Sequence, residues 1–113
     1  MYTIKTKIQL FNEAGNAFGP GKAQLLNAIA EFGSISAAAK SMGMSYKRAW
    51  DLVNAMNAGF QSALVVTKIG GSQGGGAEVT ELGPKVLSLY QEATQKADTF
   101  ISEQFVDLIS LLK

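Results

Sequence analysis

The chain has 113 residues, 47% of them apolar, which is enough for one compact core and too little for two independent domains. Ten Lys and Arg against nine Asp and Glu leave a net charge of +1, so no overall basicity announces a nucleic-acid partner. Cysteine and histidine are absent, which removes disulfides, thiolate zinc sites and the Cys or His nucleophile and base pairs; no catalytic residue, metal or cofactor is expected.

From Tyr2 to Leu10 the side chains alternate, with Tyr2, Ile4, Ile8 and Leu10 opposite Lys5, Lys7 and Gln9, the period of a half-buried strand. The stretch from Asn12 to Gly21, rich in Gly and Asn and holding Pro20, reads as a loop into a helix. Leu25, Leu26, Ile29 and Phe32 mark one face of that helix, and Gly33 ends it. Ser36 is placed to cap a short helix from Ala37 to Met42, which Gly43 can end in the left-handed conformation. Ser45 then caps a helix to about Asn57, with Ala49, Leu52, Val53 and Met56 on its inner stripe and Gly59 at its end. Two helices joined by about three residues around a Gly, with small Ala39 four residues before it, form a helix-turn-helix.

Two short strands follow, Leu64 to Thr67 and Ala77 to Thr80, separated by the glycine run from Gly70 to Gly76, as in a β-hairpin wing. Thr80 is a candidate N-cap for a last helix, with Glu81 favourable beside its dipole and Pro84 in or near the first turn. Along it Val86, Tyr90, Ala93, Ala97 and Phe100, then Ile101, Phe105, Leu108 and Leu112, give a coiled-coil-like stripe on a helix of about nine turns if unbroken. A small domain has too little core to cover such a stripe, so a second copy of the chain is the expected cover.

The runs Gly33-Ser-Ile-Ser-Ala-Ala-Ala-Lys40, Gly43-Met-Ser-Tyr-Lys-Arg-Ala-Trp-Asp51 and Asn54-Ala-Met-Asn57 closely resemble the N-terminal domain of ModE-type molybdate-responsive regulators, itself similar in fold to LysR-type DNA-binding domains. The glycine run and the Thr80-Glu81-Leu82-Gly83 segment look like the same family, and the resemblance covers roughly Thr3 to Phe100. It implies a domain that binds double-stranded DNA, dimerises and regulates transcription. Family members of full length carry a C-terminal module for molybdate, and nothing up to Lys113 corresponds to it. The molybdate function is therefore not carried over, no effector domain is expected, and any small-molecule effector stays unknown.

Within that frame the charge pattern gains meaning. Between Phe32 and Ala77, Lys40, Lys47, Arg48 and Lys68 face only Asp51, whereas from Glu78 onward six carboxylates oppose Lys85, Lys96 and Lys113. A basic middle joined to an acidic tail points to one anionic partner. The candidate DNA-contacting residues are Ser36, Ser45, Tyr46, Lys47, Arg48, Asp51 and Asn54 on the helix-turn-helix, with Lys68, Ser72 and Gln73 on the wing. Lys, Arg and Asn can read guanine or adenine edges in the major groove, and Tyr46 can reach a phosphate. Lys47 and Asp51 are equally an ordinary i, i+4 surface pair, Trp50 reads as packing, and the glycine run lacks the Gly-Lys-Ser/Thr ending of a nucleotide loop.

The expected protein is mainly α with a small β-hairpin: a winged helix-turn-helix over residues 1–80 and a long dimerisation helix over 81–113, both in one domain. The start of the chain has no apolar leader and no apolar run reaches a membrane span, so a cytoplasmic protein without membrane contact is expected. The alternative is a protein-interaction module, or the partner of a separate oxyanion-sensing chain, that has lost direct DNA reading. Lys47, Arg48 and Lys68 favour the DNA reading.

Overall fold

The computed structural model describes residues 2–68 and 75–113. In chain order it comprises β1 (Leu10–Asn12), β2 (Gly15–Phe18), α1 (Pro20–Phe32), α2 (Ile35–Ser41), α3 (Tyr46–Gly59), β3 (Val65–Lys68), β4 (Gly76–Val79), α4 (Leu82–Gln104) and α5 (Val106–Ile109). α1, α2 and α3 close around Leu25, Leu26, Ile29, Ala38, Ala49, Val53 and Met56, all essentially without solvent exposure. Phe18 completes this core from β2, meeting Phe60 and Tyr90 edge-on at ring separations of 5.7 and 5.0 Å.

The helix-turn-helix follows from local chemistry. Pro20 opens α1, and Gly33 ends it at φ 76°, donating its N–H to the Ile29 carbonyl at 2.8 Å. The cap of α2 is Ser34, whose Oγ accepts from the Ala37 amide at 3.0 Å; Ser36 stands exposed inside the helix instead of capping it. The shift has a physical reason, since starting at Ile35 places that side chain in the core at 4% exposure. Gly43 turns the chain at φ 65°, the Met44 amide reaches back to the Ala39 carbonyl at 3.0 Å, and Ser45 Oγ caps α3 through the Arg48 amide at 3.1 Å.

The wing is the antiparallel pair β3 and β4, in register from Val65 opposite Val79 to Lys68 opposite Gly76. Asn57 fastens it to α3: its Oδ1 accepts from the Leu64 and Val65 amides at 2.8 and 3.2 Å, and its Nδ2 donates to the Val65 carbonyl at 2.9 Å. From the other side the Ala77 amide donates to the Gly33 carbonyl at 2.9 Å, so the second strand hangs on the end of α1.

Three further expectations are corrected, two near the N-terminus and one at the start of α4. Residues 2–9 form no ladder among the described residues; their alternation is satisfied by lying along α4, where Tyr90 donates its hydroxyl to the Ile8 carbonyl at 2.7 Å and Thr6 donates to the Asp98 carboxylate. Burial at that contact pushes the Tyr90 phenol above its ordinary range. A second hairpin, β1 with β2, stands where a loop was expected: Gly15 adopts φ 121° in its turn, Asn12 Oδ1 accepts from Ala14, and Asn12 Nδ2 donates to the Gly59 carbonyl. Thr80 does not cap α4 with its side chain; it ties that helix to the wing, its hydroxyl donating to Ala63 at 2.8 Å and its amide to Leu64 at 2.9 Å.

The last helix is also not continuous. α4 runs for 23 residues and breaks at Phe105, after which α5 is a single turn. The break lets Phe105, Leu108 and Leu112 line an apolar cleft of about 360 Å³ against Tyr2 to Thr6 of the same chain. Only Gly83 and Leu87 of α4 are buried, and the molecule measures 60 × 29 × 21 Å, so most of this helix extends beyond the core. No helix among the described residues is long and apolar enough to cross a membrane.

Two measurements check this architecture. Ala39 is 2% exposed in the core between α2 and its neighbours, so Ala39→Leu should cost roughly 1–3 kcal/mol in urea unfolding. Lys40→Ala, on the exposed face, should stay within about 0.5 kcal/mol. Asn57→Ala should cost roughly 2–3 kcal/mol, because the amides of Leu64 and Val65 lose their acceptor. Hydrogen exchange at those two amides should accelerate in the variant; unchanged protection would show that the wing is held by other contacts.

Candidate nucleic-acid interface

The inner stripe of α3 is Ala49, Val53 and Met56, all buried, with Leu52 at its edge. That orientation leaves Tyr46, Lys47, Arg48, Asp51 and Asn54 exposed, as expected for a helix that presents one face to a partner. Lys47 Nζ and Asp51 Oδ2 lie 2.9 Å apart, with side chains 86% and 62% exposed. Such a pair is worth at most about 1 kcal/mol, so either group can leave it at small cost for a stronger partner.

Beside this face lies a cleft of about 240 Å³ between the start of α2, the first turns of α3 and both wing strands. Ser36, Tyr46, Trp50, Thr67 and Lys68 line it, together with backbone of Gly75 and Gly76. The fold thus brings Ser36, Tyr46 and Lys68, far apart in sequence, to one opening. Lys68 pairs with Glu78 across the wing at 3.0 Å, both half exposed or more, so its ammonium is tethered only weakly. Trp50 packs against the core as expected, and its other edge meets Tyr46 at 6.2 Å and 76° at the mouth of the cleft. Sequence reasoning left Trp50 and Thr67 out of the site, since an aromatic at the border of a buried stripe gives no sign that one edge stays open.

Arg48 does not join this cleft. It lies on another flank of α3, lining a separate depression with Lys7 and Lys22. Ser45 is committed to capping α3 through its Oγ. Ser72 and Gln73 lie outside the described residues. Among those described, no group of His, Cys, Asp or Glu is arranged to hold a metal ion.

Comparison with known proteins bears on this geometry. Residues 21–83, which run from α1 to the start of α4, match the family described as bacterial regulatory helix-turn-helix protein, lysR family. The chain is 39% identical over 116 residues to the DNA-binding transcriptional dual regulator ModE of Escherichia coli K12, covering 99% of this chain and 42% of that protein. It is 39% identical over 85 residues to the molybdenum transport protein ModE of Azotobacter vinelandii, covering 75% of this chain and 32% of that one. The chain therefore spans less than half the length of these relatives. Among solved structures, the CbnR DNA-binding domain in complex with DNA superposes with a TM-score of 0.57 at 20% identity, covering 78% of this chain and 95% of that one. That likeness shows the fold, and the matched span of more than half the chain shows the family: this chain belongs to the lysR family of bacterial regulatory helix-turn-helix proteins.

Proposed function

We propose that the chain is a non-catalytic, cytoplasmic transcriptional regulator that binds double-stranded DNA as a homodimer, with residues 1–80 reading DNA and 81–113 pairing two copies. The observation that carries this reading is the exposed first half of α3 beside the wing cleft, with Lys47 on the helix and Lys68 on the wing. In this reading α3 enters the major groove. Lys47 and Asn54 address purine edges, and Asp51, released from Lys47, accepts from a cytosine amino group. Tyr46, Ser36 and Lys68 meet phosphates at the cleft, which positions the domain without reading sequence.

Dimerisation is supported by apolar surface that the chain's own N-terminal segment leaves open. Leu89 and Phe100 on α4, Val106 on α5 and Leu111 just after it are between 60% and 79% exposed. A second apolar cleft, between α4 and the β1–β2 hairpin, is lined by Leu10, Phe18, Phe60, Val86 and Leu89. Two symmetric copies would cover these surfaces and fix the spacing of two recognition helices.

The DNA reading is tested by selecting bound genomic fragments and then following anisotropy across a salt series. Lys47→Ala should cost on the order of 1–3 kcal/mol per half-site and flatten preference at particular base pairs. Lys68→Ala should weaken specific and scrambled duplexes alike and lower the salt slope by about one unit per phosphate contact. If both folded variants bind as the parent does, the interaction-module reading replaces this one. For the dimer, Leu89→Asp with Phe100→Asp changes residues that are exposed in the single chain, so the fold should survive. Sedimentation should then show monomer where the parent shows dimer; an equally tight dimer would move the interface elsewhere.

A further inference from the structure

The depression that receives Arg48 concentrates positive charge with no carboxylate to answer it. It measures about 190 Å³ and is lined by Lys7, Gln9, Asn16, Lys22, Arg48 and Leu52 around the start of α1. Lys22 is the buried charged side chain among the described residues, 8% exposed, and its ammonium takes part in none of their ion pairs or hydrogen bonds. Its surroundings oppose its charge in three ways. Burial, and after it the neighbouring Arg48 guanidinium, push its pKa below the usual lysine range. It also sits in the first turn of α1, at the positive end of a 13-residue helix with no acidic residue in that turn and no side-chain cap on Gly19. Because Pro20 has no N–H, the outward donors of that turn are the amides of Gly21 and Lys22, and no side chain accepts from them among the described residues. In the same depression Asn16 Oδ1 is buried without a donor.

Two adjacent cations and unanswered helix amides are the complement of one compact anion. We propose that this cleft is an anion site that takes a phosphate group, held by the Lys22 and Arg48 side chains and by the Gly21 and Lys22 amides. A bound phosphate neutralises the two cations and satisfies the helix end in one step. Two sources share this chemistry: a DNA backbone phosphate passing the flank of α3, which rests on the DNA reading above, and a free phosphate ester or inorganic phosphate, which does not.

The site is tested on the whole chain by following ¹H–¹⁵N spectra during titration with inorganic phosphate, against chloride at equal ionic strength. Saturable shifts confined to the amides of Gly21, Lys22 and Arg48 are expected, and they should vanish in Lys22→Met. That variant should also melt higher than the parent in phosphate-free buffer, since it keeps the buried stem and removes the unanswered charge. A second arm compares salt slopes on DNA. A fall of about one unit in Lys22→Met with base preference kept identifies the backbone as the source. An unchanged slope beside intact phosphate shifts in the parent identifies a free anion. If the parent binds no DNA at all, the phosphate titration alone decides. Should Lys22→Met fail to fold, Arg48→Gln, at an exposed residue, carries both arms. Absence of shifts beyond the chloride control, together with an unchanged slope, overturns the proposal.

Discussion

The structure depends on how closely α2 and α3 cross. Between Ser41 and Tyr46 the chain has four residues in which to end one helix and start another, and it does so with Gly43 in the left-handed region and Ser45 as the new cap. The turn works only because Ala38 and Ala39 put almost no bulk on the near side of α2. Once that crossing is set, Ala49, Val53 and Met56 must face the core, and the charged half of α3 must face out. The wing is then attached to α3 by the Asn57 side chain and cannot choose another position relative to it. The exposed charged face of α3 and the core are two sides of one packing decision.

What could be read from the sequence was what is decided locally. Gly33, Gly43, Ser45 and the small residues of α2 act within a few residues of themselves, so their roles were legible, and with them the helix-turn-helix and the wing. Where a distant element decides, the pattern misled. The alternation from Tyr2 to Leu10 looks the same whether its apolar side meets a sheet neighbour or the flank of α4. Ser36 and Ser34 are both good caps, and only the burial of Ile35 selects the second. Thr80 makes a plausible cap in sequence, but the Ala63 carbonyl, 17 residues away, takes its hydroxyl.

The candidate site divides in the same manner. A helical wheel for α3 identifies the outward residues correctly, and the exposure of Tyr46, Lys47, Asp51 and Asn54 agrees with it. It cannot say what lies beside each flank. The wing cleft gathers Ser36, Tyr46 and Lys68 because α2, α3 and β3 meet there, while Arg48, on another flank of α3, faces the start of α1 instead. Lys22 gave no signal in sequence, since a lysine near a helix start looks solvated until the neighbouring turns are known to cover it.

The double attachment of the wing, to α3 through Asn57 and to the end of α1 through Gly33 and Ala77, has a consequence for the duplex that such a domain would grip. A wing bound to one helix could swing to suit grooves of different width; bound to two, it behaves as the second jaw of a calliper whose opening is set by the protein core. Any mismatch between that opening and relaxed B-form DNA then falls on the nucleic acid, whose stiffness varies with its base steps. Flexible pyrimidine–purine steps between the jaws would yield cheaply and rigid A-tracts would resist, so discrimination would extend to base pairs that no side chain touches.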